Sequence, residues 1–106
     1  MTTLPKGYRK FQEKHPQVYA AYETLGKTAA ESGPLDEKTR ELIKLGMSAA
    51  RGAESAVKSH VHRAIEAGAT PDEIEHALTI GINTLGFPAM MTALSWAWEA
   101  LSGTTQ

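Results

Sequence analysis

The sequence predicts an all-α protein, an oligomeric bundle of about six helices, and three observations carry that prediction. Apolar residues recur at three- and four-residue steps, the period of one helix face, through most of the chain. Glycine and proline fall mostly between these runs, at His15-Pro16, Ser32-Gly33-Pro34, Gly52, Gly68 and Gly86-Phe87-Pro88. No stretch reads convincingly as a strand.

Residues 4–15 read as a short polar first helix carrying Tyr8 and Phe11. His15-Pro16 closes it, because the residue before a proline is pushed out of the α region, and Pro16 then suits the first turn of the next helix. There Val18, Ala21, Tyr22 and Leu25 form a stripe that runs out at Ser32-Gly33-Pro34. Asp36 and Glu37 sit where carboxylates favour a helix N-terminus, and Leu42, Leu45, Gly46 and Ala49 give the third helix an apolar line ended by Gly52.

The fourth helix lies within GAESAVKSHVHRAIEAG, Gly52 to Gly68. Ala53, Ala56, Val57, His60, Val61, Ala64 and Ile65 share one face, so the spacing turns His60 inward and His62 outward. Gly68 supplies a left-handed stop. Thr70-Pro71-Asp72-Glu73 is a capping box with proline at the first helical position, opening a fifth helix with Ile74, Ala77, Leu78, Gly81, Ile82 and Leu85 on its apolar face. Gly81 costs about 1 kcal/mol against alanine there, which predicts a close approach by another backbone. The sixth helix, Pro88 to about Leu101, carries only Thr92, Ser95 and Glu99 as polar residues. A helix apolar nearly all round needs cover on more than one side, and with Ile80 also left over this predicts a homo-oligomer.

With 106 residues the chain is expected to be one domain: N-terminal helices over 1–34, a core over 35–101 and a tail over 102–106. A net charge of −1, from 11 basic and 12 acidic residues spread along the chain, offers no footprint for nucleic acid or anionic lipid. The N-terminus lacks the apolar core of a signal peptide, and no run reaches the ~20 residues that span a bilayer, so a cytoplasmic location is expected. The absence of cysteine removes disulfides, thiolate nucleophiles and thiolate metal ligands.

Two residues stand out chemically. His60 faces Ala56 and Ala53, one and two turns earlier, whose small side chains leave room beside the ring. Glu41 borders the apolar line of the third helix, which a turn at Gly52 would fold against the fourth. It is either a solvated carboxylate paired with Lys44 or Arg40, or an inward partner of His60 able to hold and pass a proton. His60 and His62 cannot chelate together from a helix, and His15 and His76 lack ligand spacing to them, so no metal and no cofactor are expected.

From Leu35 to Leu101, above all in LDEKTRELIKLGMSAARGAESAVKSHVHRAIEAGATPDEIEHAL, the chain resembles the carboxymuconolactone decarboxylase family, which includes the AhpD-type alkylhydroperoxidases. In its redox-active members a Cys-x-x-Cys-x-x-x-His motif opens the helix, a glutamate stands on the preceding helix, and an EAGAT-type turn follows. Laid on this sequence, the cysteine positions are Ala53 and Ala56, the histidine is His60, the relay glutamate is Glu41, and the turn is Glu66 to Thr70. The resemblance implies an AhpD-like fold assembled as a homotrimer or homohexamer. It also marks a departure, since peroxide reduction needs a thiolate and a resolving thiol that alanine cannot replace. The implied activities are proton transfer by His60 and Glu41 on a small carboxylated or lactone-like substrate, with Ala53 and Ala56 lining its pocket, or small-molecule binding and scaffolding without turnover. Peroxidase chemistry would then survive in family label only.

Overall fold

Helix boundaries in the computed structural model, which describes residues 6–103, fall largely where the punctuation placed them. The expected helix start at Leu4 and the tail residues 104–106 lie outside the described residues. The helices are α1 (Lys6–Lys14), α2 (Pro16–Ala30), α3 (Glu37–Arg51), α4 (Glu54–Glu66), α5 (Pro71–Thr79) and α6 (Phe87–Ser102), with a 3-10 turn at Ile80–Asn83. The chain divides into two units, residues 1–35 and 36–106.

In the first unit the break between α1 and α2 falls at His15, whose φ of −135° and ψ of 63° leave the helical region ahead of Pro16. The Phe11 and His15 rings meet with centroids 5.1 Å apart. Neither helix has a buried residue: Val18, Tyr22 and Leu25, the predicted stripe of α2, are 57%, 63% and 67% exposed.

The second unit holds the core. Asp36 caps α3, its carboxylate accepting the Thr39 N–H at 2.9 Å. Gly52 ends α3 at φ 67°, a left-handed conformation that costs a side-chain-bearing residue, and the N–H groups of Gly52 and Ala53 return to the carbonyls of Ala49 and Ser48. The same closure recurs after α4, where Gly68 and Ala69 donate to Ile65 and Ala64. Both halves of the capping box are present: Thr70 Oγ1 accepts from Glu73 N at 3.1 Å, and Glu73 Oε1 accepts from Thr70 N at 2.9 Å.

Two expectations need correction. The fifth helix does not continue as an α-helix to Leu85: it tightens after Thr79, and the N–H groups of Thr84 and Leu85 both bond the Gly81 carbonyl, at 3.0 and 2.7 Å. A 3-10 turn advances three residues per turn rather than 3.6, so the apolar face rotates and Ile82 ends 47% exposed. Gly81 admits no foreign backbone either. A Cβ there would lie 3.2 Å from the side chain of Leu85, a neighbour in its own segment.

Helix α6 is the central element of this unit, in contact with α3, α4, α5 and the 3-10 turn. Met90, Ala93, Leu94, Ala97 and Ala100 are buried, and Met91, Trp96 and Leu101 pack partly against the core. Most of its apolar circumference is thus covered within the unit, leaving Phe87 and Trp98 exposed. The Trp98 indole N–H donates to Glu75 at 2.8 Å. Leu45, Val57, Val61, Ile74 and Leu78 are the largest fully buried side chains, each contributing about 1.5–3 kcal/mol by leaving water.

Candidate functional site

Glu41 lies one turn before the buried Leu45 on α3, and His60 lies one turn after the equally buried Val57 on α4. The turn at Gly52 folds α4 back along α3, so packing of these aliphatic side chains brings the carboxylate and the imidazole to the same seam. Glu41 Oε1 and His60 Nδ1 are 2.8 Å apart. The pair is largely but not wholly covered, with 13% of the Glu41 side chain and 17% of the His60 side chain exposed. The structure therefore selects the inward alternative for Glu41 over a solvated pairing with Lys44 or Arg40.

Burial alone would raise the Glu41 pKa. The hydrogen bond with His60 and the positive charges of His60, Lys44 and Arg63 outweigh it and hold the carboxyl below its ordinary value. An ionised carboxylate can only accept a hydrogen bond, so His60 Nδ1 carries the proton between them. Glu41 thereby sets the tautomer of His60.

Ala53 and Ala56 are both half-buried, at the N-cap and first turn of α4, two turns and one turn before His60. His62, expected to face outward, is also half-buried. What separates the two histidines is the carboxylate partner. Among the cations of this region, Arg51 and Arg63 are exposed, whereas Lys58 is half-buried and tied to Glu54 and Glu99, each at 2.9 Å. Lys44 and Arg63, each one turn beyond a member of the pair, act on Glu41 electrostatically. Sequence reasoning had placed Lys44 beside Glu41 only in the solvated alternative; in the structure its charge acts on the inward carboxylate.

An open groove of about 440 Å³ between α3 and α5 was not anticipated. Thr39, Leu42, Ile43 and Gly46 form one wall, and Glu73, His76, Ala77 and Ile80 form the other. Glu73 is salt-bridged there to Lys38 at 3.1 Å.

With this geometry in place, comparison with known proteins is decisive. The pattern of the carboxymuconolactone decarboxylase family matches residues 16–99. The chain belongs to the carboxymuconolactone decarboxylase family. The match takes in α2, which the sequence resemblance had left out by starting at Leu35. A Legionella pneumophila protein of this family, known from an apo crystal structure, superposes with a TM-score of 0.82 at 26% identity, covering 94% of this chain and 88% of its own. An uncharacterized Methanocaldococcus jannaschii protein is 33% identical over 90 residues, 84% of this chain and 86% of that protein. A second from the same organism is 33% identical over 79 residues, 74% of each. The chain has no cysteine.

Proposed function

We propose that this family member carries out proton transfer on a small carboxylated or lactone-like substrate at Glu41 and His60, as a decarboxylase-type acid/base enzyme rather than a thiol peroxidase. The observation that carries the reading is the 2.8 Å hydrogen bond between Glu41 Oε1 and His60 Nδ1 in a largely covered seam. Loss of CO₂ leaves the bonding electron pair on the substrate carbon, which must take up a proton. A protonated His60, anchored through Nδ1 by an ionised Glu41, has its other N–H to give. Ala53 and Ala56 leave space for the substrate beside the ring, and Lys44 and Arg63 supply positive charge for its carboxylate. The reading also takes the protein to be cytoplasmic and to self-associate, as a homotrimer or homohexamer.

A carboxylated lactone assayed with purified protein tests it. His60→Ala should lower turnover by about 10²–10⁴-fold with the helical circular dichroism unchanged, and Glu41→Gln should lower it less, since the imidazole remains. Turnover insensitive to His60→Ala would overturn the assignment. Failure of the unmutated protein on every such lactone would favour the alternative, a non-catalytic small-molecule-binding or scaffolding oligomer. In that case a ligand that raises the melting temperature should lose its effect in Ala56→Leu. Peroxide consumption above buffer with dithiol supplied would overturn the exclusion of peroxidase chemistry.

A further inference from the structure

Ser48 is the one polar residue buried among the described residues, at 5% exposure. Other helical hydroxyls, those of Thr79, Thr92 and Ser95, turn back onto carbonyls three or four residues earlier, at 2.7 to 3.1 Å. The Ser48 hydroxyl has no hydrogen-bond partner among the described residues. Covering a hydroxyl without a partner costs free energy, so an acceptor brought in by a ligand adds a bond without breaking one inside the protein. No side-chain nitrogen or oxygen of the described residues is both sealed from solvent and unpartnered, so the Ser48 Oγ opens onto the small part of the residue that stays accessible.

Its place in the fold fixes where it opens. Ser48 stands seven residues after Glu41 on α3, about 20° short of two full turns, so both side chains leave the helix on one face. The Ser48 carbonyl accepts the Ala53 N–H at 3.1 Å, which sets it beside the start of α4. Glu41 with His60 thus closes one end of the seam and Ser48 with Ala53 the other, about 10 Å apart along the axis, with Ala56 between them. Side chains lean toward the N-terminus of their own helix, and α4 folds back along α3. The serine and the imidazole therefore lean toward each other, and the gap narrows to the scale of a small lactone. A neutral, covered hydroxyl suits a neutral carbonyl oxygen, whereas a carboxylate there would give up its water for a single hydrogen bond. The half-buried Lys44 and the exposed Arg63 are better placed for the carboxylate.

We infer that Ser48 is a substrate-binding residue, its hydroxyl donating a hydrogen bond to the ring carbonyl oxygen of a lactone lying in the seam between α3 and α4. The inference rests on the acid/base reading's placement of substrate beside His60. It narrows the substrate class to carboxylated lactones whose carbonyl is remote from the carbon that takes up the proton.

The test pairs two probes, a carboxylated γ-lactone and the carboxylated tetrahydrofuran in which a methylene replaces the carbonyl, with the unmutated full chain and with Ser48→Ala. Affinity is read as KM where the lactone is turned over and by titration calorimetry where it is only bound. Ser48→Ala should weaken the lactone about 10-fold, keep kcat within about 2-fold and leave the tetrahydrofuran unchanged. Without ligand, the melting temperature of Ser48→Ala should match or exceed that of the unmutated protein, since no hydrogen bond within the fold is lost. A lower melting temperature, an unchanged lactone affinity or an equal loss for both probes would overturn the inference, the last by showing a packing role. A lactone bound with this dependence on Ser48 but never turned over would sink the catalytic reading and leave the binding role standing. A lactone that does not bind the unmutated protein would overturn both.

Discussion

Glu41 is where opposing effects of comparable size meet in one side chain. Burial disfavours its charge; the His60 hydrogen bond and the charges of His60, Lys44 and Arg63 favour it, and they win. A carboxyl held below its unfolded value stabilises the fold above that value and surrenders the stabilisation as pH falls through the folded one. The melting-temperature difference between wild type and Glu41→Gln should therefore shrink as pH drops below the ordinary 4.5. Asp36 and Glu73, also held low by their hydrogen bonds, titrate in both proteins and cancel from the difference. A difference that grows as pH falls below 4.5 would contradict this account. Helical spacing was enough to put His60 on the covered side of its helix. It could not choose among partners for Glu41, because Lys44 and Arg40 are near in sequence and His60 only in space.

Among elements, those with local punctuation behaved as their residues predict. The capping box at Thr70 satisfies N–H groups through atoms three residues apart, so nothing distant is needed to place the start of α5. Thr70→Ala should destabilise the protein by about 0.5–2 kcal/mol in urea unfolding, without moving the Glu41–His60 pair. A loss of under a few tenths would show that Pro71 alone holds that end. The far end of the same element was not legible. Its α-helical apolar spacing runs unbroken through Leu85, and the tightening after Thr79 depends on how Leu85 and Gly86 turn the chain into α6.

Across the whole molecule the two units differ in kind. The second has a continuous core, and Leu45→Ala, at a position with no exposure, should cost about 2–5 kcal/mol with a residual cavity. Urea unfolding checks this; a cost below 1 kcal/mol would mean that α3 does not bear on the core as described. The first has apolar residues and no burial, which explains why its stripe was readable while its destination was not. The expected surplus on α6 also proved mostly internal, because α3, α4 and α5 all lean on that helix. Exposed apolar side chains are instead spread over several elements, among them Val18, Tyr22 and Leu25 on α2, Met47 on α3 and Ile80 beside the groove.

By itself the amino-acid order determined the helical class, nearly every helix start and stop, the buried line of Val57, Val61 and Ala64 on α4 and the absence of any thiol, since each depends on atoms within a turn or two along the chain or on a residue type being absent. Only the tertiary structure decided that the carboxylate of α3 reaches the imidazole of α4, that Lys44 and Arg63 bias it, and that a groove opens beside α5. Those outcomes depend on how separately formed helices pack, and packing is settled by core volume and the turn at Gly52, which local periodicity does not encode.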